Sequence, residues 1–218
     1  MNRPIRSYVL RQGRTTPAQA RALETLLPKY GIAFSGEKIS SSRKLVLEIG
    51  SGMGETTIEI AKAHPEVDFV AVEVHGPGVG SLLNAIEREG LGNLRVIRHD
   101  ALEVLEHMIA DGSLAAIHLF FPDPWPKKRH HKRRLVEPGF AALAARKLQA
   151  GGILHAATDW ADYAERMNEV LSNEALLEPA TQGFSARPVT KFESRGRRLG
   201  HPVRDLLFRR KGTAPAAR

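Results

Sequence analysis

The chain has 218 residues, 32 Lys and Arg against 24 Asp and Glu, and no cysteine. That length can bury a core without disulfide or metal staples. The missing cysteine excludes a disulfide framework, a thiolate zinc site, a Cys-ligated iron–sulfur cluster and a cysteine nucleophile.

Taken in chain order, residues 16–29 read as a helix, with Thr15 or Thr16 as cap and Pro17 in its first turn. A Gly/Ser-rich link follows from Gly31 to Ser42. Short strands rich in Val, Ile and Leu are expected at 44–49, 68–73, 94–99, 114–120 and 153–157. They alternate with helices at 55–63, 77–89, 101–109, 138–148 and 160–172, and the chain returns to strand near 202–208. This alternation predicts an α/β fold with a mostly parallel, doubly wound sheet covered on both faces. The sheet face of His118 is left open. Residues 1–40 read as a basic N-terminal arm and helix, 41–211 as one domain, and 212–218 as a flexible tail.

Charge is unevenly spread. Residues 45–120 carry four basic and twelve acidic side chains, net −8, whereas 127–134 carry six basic and no acidic ones. The net charge of +8 therefore comes from basic segments around an acidic centre. It points to a polyanionic partner. No apolar run approaches the ~18–20 residues of a membrane span, and Met1–Ser7 lacks the apolar stretch of a signal peptide. A cytoplasmic protein without a membrane partner is expected. The nine histidines show no metal spacing, so no metal is expected.

Ligands of such sheets bind beyond the carboxyl ends of the strands. After the first strand stands Glu48-Ile49-Gly50-Ser51-Gly52-Met53-Gly54-Glu55. A dinucleotide fingerprint would want glycine at position 55, and Glu55 there would repel a pyrophosphate. There is no P-loop either. The E-x-G-x-G-x-G pattern resembles motif I of S-adenosylmethionine-dependent methyltransferases. In that reading Gly50, Gly52 and Gly54 let backbone approach the ligand, and Glu48 meets the cationic amino-acid end. Glu73, ending the second strand, can accept from two ribose hydroxyls, and Asp100, ending the third, from an adenine amino group.

After the fourth strand comes Phe120-Phe121-Pro122-Asp123-Pro124-Trp125-Pro126, then Lys127-Lys128-Arg129-His130-His131-Lys132-Arg133-Arg134. Three prolines stiffen the loop, which suits a site that must hold an acceptor in line with a methyl group. Trp125 offers a stacking face and the basic run offers phosphate contacts. Methylation of a pyrimidine C5 normally needs a cysteine nucleophile, which this chain lacks. A guanine N7 needs neither nucleophile nor base, because its lone pair is free. Asp123 could orient the guanine through N1–H and the 2-amino group, and offset the positive charge growing on the ring. The residues alone also leave open an amino methyltransferase on another RNA base, or a SAM-free RNA-binding protein on a retained scaffold.

The run from Phe120 to Arg134 resembles the signature of the tRNA (guanine-N7-)-methyltransferase family. So do Glu48–Gly54, Glu73–Gly80, Thr158-Asp159-Trp160 and Thr190-Lys191-Phe192-Glu193. The likeness covers about residues 40–210. It implies a Rossmann-like class I methyltransferase with an antiparallel C-terminal strand, transferring methyl from S-adenosylmethionine to N7 of guanine 46 in tRNA and releasing S-adenosylhomocysteine. Glu48, Glu73, Asp100 and Asp123 would bind the cofactor or line its site, with Asp123 catalytic. Lys127, Asp159, Thr190, Lys191, Phe192 and Glu193 would contact the substrate, and Arg129, His130, His131, Lys132, Arg133 and Arg134 the RNA. Asp159 is also expected to cap the helix that follows it. A monomer or homodimer fits.

Overall fold

The computed structural model describes residues 6–8, 14–189, 193 and 202–212. Thr190, Lys191 and Phe192, most of the arm, most of the basic 187–200 segment and nearly all of the tail lie outside the described residues.

Seven strands form one sheet: β1 (Leu45–Ile49), β2 (Asp68–Val72), β3 (Leu94–Ile97), β4 (Leu114–Phe120), β5 (Leu148–Thr158), β6 (Leu177–Pro179) and β7 (Arg204–Arg210). Their order is β3-β2-β1-β4-β5-β7-β6. β1 to β5 run parallel, and β7 lies antiparallel to both β5 and β6. Every residue of β1 and β4 is buried, as expected of strands covered on both faces.

The helices are α1 (Pro17–Thr25), α2 (Leu27–Tyr30), α3 (Glu55–Ala63), α4 (Gly76–Glu89), α5 (Ala101–Met108), α6 (Pro138–Lys147) and α7 (Ala161–Ser172). Strand alternation sorts them into two layers. Leu45, Leu47 and Ile49 join one apolar cluster with α5, α6 and α7. Val46 joins the other with α1, α3 and α4. The chain reverses direction across the sheet between β1 and β4, which puts the topological switch point at their carboxyl ends.

Several boundaries differ from expectation. The first helix breaks at Leu26: Thr16 and Gln19 form a reciprocal capping box at the start of α1, and Pro28 opens a new turn as α2. β5 begins at Leu148 rather than Ile153, running through Gly151-Gly152 with a register shift against β4. β6 was not expected. Lys128–Arg133, read as loop, form a 3₁₀ helix. α7 starts at Ala161 with Trp160 as N-cap and no side-chain cap bond, so Asp159 does not cap it. Instead the Trp160 amide donates to the Thr158 hydroxyl at 3.2 Å.

His118 points into the α3 side of the sheet and is 1% exposed, stacked on Phe120 at 5.1 Å between centroids. Burial pushes its imidazole down to about 3, so it stays neutral at physiological pH.

Candidate active site

The turn after β1 is built from left-handed glycines. Gly50, Gly52 and Gly54 have φ of 73°, 56° and 86°, a region that penalises any side chain. A Cβ on Gly54 would stand 2.5 Å from Leu82 Cδ1, and one on Gly78, in the first turn of α4, 2.6 Å from the Gly52 carbonyl oxygen. The glycines thus let α4 close on the turn.

Glu73 fastens this arrangement. It is 8% exposed. Its Oε2 accepts from the Gly52 amide and its Oε1 from the His75 amide, both at 2.8 Å. Asp100 sits at the start of α5, where its Oδ1 accepts from the Leu102 amide at 2.8 Å. Glu48 lies deeper, 4% exposed, on the α3 side of β1. Burial pushes its carboxyl up to about 7; the Thr57 hydroxyl works against that rise and the nearby Glu73 adds to it.

A cavity of about 210 Å³ opens at the carboxyl ends of β1 to β4, lined by Gly50, Glu73, Asp100 and Asp123, with Phe121 and His99 among its walls. A second, of about 380 Å³, adjoins it between the end of β2 and the Pro-rich loop, lined by Glu73, His75, Asp123 and Trp125. Glu73, Asp123 and Tyr8 belong to both. The structure therefore brings together four of the expected cofactor residues. Glu48, Gly52 and Gly54 shape the wall from behind without lining it.

The loop that carries Asp123 is held in an uncommon form. Phe121 and Trp125 have φ of 53° and 47°, a conformation costing roughly 1–3 kcal/mol at a non-glycine residue unless the surroundings enforce it. Phe121 donates its amide to the Ala157 carbonyl at 2.8 Å. The Trp125 indole donates to the Ser7 carbonyl at 3.1 Å, and Arg133 lies 5.1 Å over its ring.

The basic run divides. Lys127, Lys128, Arg129 and Lys132 are exposed, and Arg133 is half-buried. His130 meets Trp125 edge-on; slight burial and the cations around it hold its imidazole below the usual range, so it adds little positive charge. Arg134 corrects the expectation of an RNA contact. Its side chain is 3% exposed, donates to the Pro124 carbonyl at 2.9 Å, pairs with Asp162 and lies 4.8 Å over the Tyr163 ring. It clamps the Pro-rich loop to α7, and a group so placed cannot reach a phosphate. Lys127 and Asp159 stand outside both cavities. Glu193 is fully buried and paired with Arg187.

Sequence reasoning missed Ser7 and Tyr8, which line the first cavity. Tyr8 is paired with Asp100; partial burial and that carboxylate raise its phenol. Among the described residues no group of three His, Asp or Glu could hold a metal ion, and no helix is long and apolar enough to cross a membrane.

A glycine turn braced by a carboxylate, at the switch point of a sheet in this order, defines a class I methyltransferase. Solved structures agree on the fold. A 16S rRNA (adenine(1408)-N(1))-methyltransferase mutant from Catenulisporales acidiphilia superposes with a TM-score of 0.53 at 17% identity, covering 91% of this chain and 92% of that one. An rRNA methylase from Streptococcus thermophilus does so at 0.53 and 11% identity, covering 79% and 89%. The profile of a methyltransferase family, Methyltransf_4, matches residues 42–206. Closer in sequence is a tRNA (guanine-N(7)-)-methyltransferase of Nitrosomonas eutropha, 56% identical over 94% of this chain and 96% of its own. Another from Neisseria meningitidis is 53% identical over 96% and 92%. The chain belongs to the tRNA (guanine-N(7)-)-methyltransferase family.

Proposed function

We propose that this chain methylates N7 of a guanine in tRNA, at variable-loop position 46, with S-adenosylmethionine as donor, in the cytoplasm. The observation that carries the reading is the junction of the two cavities at Asp123 and Glu73. One is a chamber with carboxylates at successive strand ends. The other is a neighbouring chamber beside an aromatic ring. A methyl donor and its acceptor need two such chambers with a shared wall.

The donor set suits this cofactor. Each Glu73 oxygen holds one backbone N–H and keeps a further lone pair for a ribose hydroxyl. Asp100, which holds the Leu102 amide and the Tyr8 phenol, keeps lone pairs for an adenine amino group. Glu48 lies behind the turn, where burial holds its carboxyl up at about 7. When bound, S-adenosylmethionine supplies a methyl on a sulfonium, and S-adenosylhomocysteine remains after transfer.

Asp123 holds the guanine edge and offsets positive charge on the ring as N7 takes the methyl. No side chain needs to remove a proton before attack. Trp125 limits how the base can tilt. The exposed cations from Lys127 to Arg133 meet the RNA backbone, with Lys127 assigned to the substrate by family likeness. Asp159 and the Thr190–Glu193 stretch are assigned to the substrate side by family likeness. Residues 41–211 act as the catalytic domain and 1–40 as its arm.

The test is incubation with labelled S-adenosylmethionine and unmodified tRNA, followed by aniline cleavage at the modified guanine. Cleavage at position 46 is expected. Label on an exocyclic amine would replace the reading with an amino methyltransferase, and no binding of S-adenosylhomocysteine would replace it with a cofactor-free RNA binder.

A further inference from the structure

Behind the catalytic loop lies a buried ion cluster whose centre, Arg187, has no part in the chemistry described so far. Arg187 Nε and Nη2 donate to the two oxygens of Asp205 on β7 at 2.9 and 3.1 Å. Its Nη2 also donates to Glu193 Oε1 at 3.2 Å, and its Nη1 pairs with Glu193 Oε2. The side chains of Arg187 and Glu193 are 4% and 0% exposed. His155 on β5 reaches Asp205 Oδ1 through Nε2 at 2.8 Å; facing a carboxylate, that nitrogen carries the proton. Burial pushes the Asp205 carboxyl up, but the bonds from His155 and Arg187 outweigh it and hold the group well below its usual range.

The cluster does more than neutralise itself. The Arg187 guanidinium lies 5.2 Å from the Phe121 ring centroid and 5.8 Å from that of Phe120. Phe121 is the left-handed residue two positions before Asp123, and it lines the cofactor cavity. Its backbone is tied to Ala157, whose strand neighbour on β7 is Asp205. One guanidinium thus connects the β5–β7 pair to the ring of the residue at which the catalytic loop turns.

We propose that Arg187 is a positioning residue: its guanidinium, fixed by Asp205 and Glu193, packs against the Phe121 ring and so sets the aim of Asp123. The proposal rests on the reading of Asp123 as the group that holds the acceptor. It also gives Glu193, on the substrate side by family likeness, the task of a buried counter-ion of Arg187. A planar fork is required, because one face must meet a ring while the edges meet two carboxylates.

The experiment compares the wild-type full-length chain with Arg187→Met, Arg187→Lys and Phe121→Leu, well below each protein's Tm. Methyl transfer to tRNA gives kcat and KM, calorimetry gives the Kd of S-adenosylhomocysteine, and circular dichroism gives the folded fraction. Arg187→Met is expected to lower kcat per folded molecule at least about tenfold, the scale on which small misplacements act. KM for tRNA and the Kd should stay within about threefold. Arg187→Lys should recover part of kcat. Phe121→Leu leaves the ion cluster intact and should reproduce the loss of kcat, which keeps the proposal testable if Arg187→Met does not fold. Wild-type kcat in folded Arg187→Met or in Phe121→Leu overturns it. So does a defect confined to KM for tRNA, which would place Arg187 on the RNA side. If the wild-type enzyme makes no N7 product, the functional reading fails instead, a separate and visible outcome.

Discussion

The Gly52 amide donates to the Glu73 carboxylate across 2.8 Å, which fastens the turn after β1 to the end of β2. Glu73 holds the turn, and in the proposed function it also offers its outer lone pairs to the cofactor. Removing it should cost more than a single ligand contact. Glu73→Ala is expected to weaken S-adenosylhomocysteine binding by about 3–6 kcal/mol, the scale of two hydrogen bonds to a charged group, or more than about a hundredfold. Glu73→Gln keeps one good acceptor and should fall between. Calorimetry decides; wild-type affinity in Glu73→Ala would remove this residue from the cofactor site.

Asp123 should behave differently. Its share of the cofactor cavity is one wall among several, while at the junction it is the carboxylate carried by the Pro-rich loop, beside Trp125. Asp123→Ala should leave the Kd of S-adenosylhomocysteine within a few-fold of wild type. It should lower kcat by about 10²–10³, the range for losing one group aimed at developing charge. Full turnover on tRNA by this variant would end its assigned role.

The two substitutions also mark where sequence was enough. Strand ends are legible because short apolar runs stop at identifiable residues, so Glu73 and Asp100 could be placed before any coordinates. β4 and α3 were read with the bounds they have. Tyr8 was not legible: it reaches Asp100 across more than ninety residues, and nothing local in an Arg-rich arm marks it. Arg134 was misread for a similar reason. It ends a run of surface cations, yet Pro124, Asp162 and Tyr163 take it inside, and a charge run cannot announce which member turns inward. Glu48 was legible as an acid before the glycines but not as one kept from the cavity.

The split basic run makes a paired prediction. Arg133→Ala removes a half-exposed cation on the loop and should weaken tRNA binding while reducing the slope of log affinity against log salt by about one. Arg134→Ala leaves Asp162 and the Pro124 carbonyl without their donor and opens space over Tyr163. It should lower stability by about 1–3 kcal/mol, the cost of a carbonyl left without its donor, because Asp162 is 64% exposed and returns to water. Its salt slope should match wild type. Urea unfolding and filter binding at several salt concentrations separate the two, and a changed slope in Arg134→Ala would return that residue to the RNA.

Glu48 predicts a pH dependence of stability with a definite sign. Its carboxyl is raised from 4.5 to about 7 in the folded chain, chiefly by burial. The native state therefore binds the proton more tightly than the unfolded state does. Stability associated with this group is fully present below pH 4.5 and is lost as pH rises through 7. The difference amounts to about 3 kcal/mol at about 1.4 kcal/mol per unit. Glu48→Gln copies the protonated shape without a charge to bury. It should match wild type near pH 4 and exceed it by up to about 3 kcal/mol at pH 8, measured by urea unfolding of the ligand-free proteins. Comparing the two at each pH cancels the opposite trend from His118, which is lost toward acid in both. A difference that does not vary with pH would mean that Glu48 keeps its charge in the folded chain, and that burial is not what governs it.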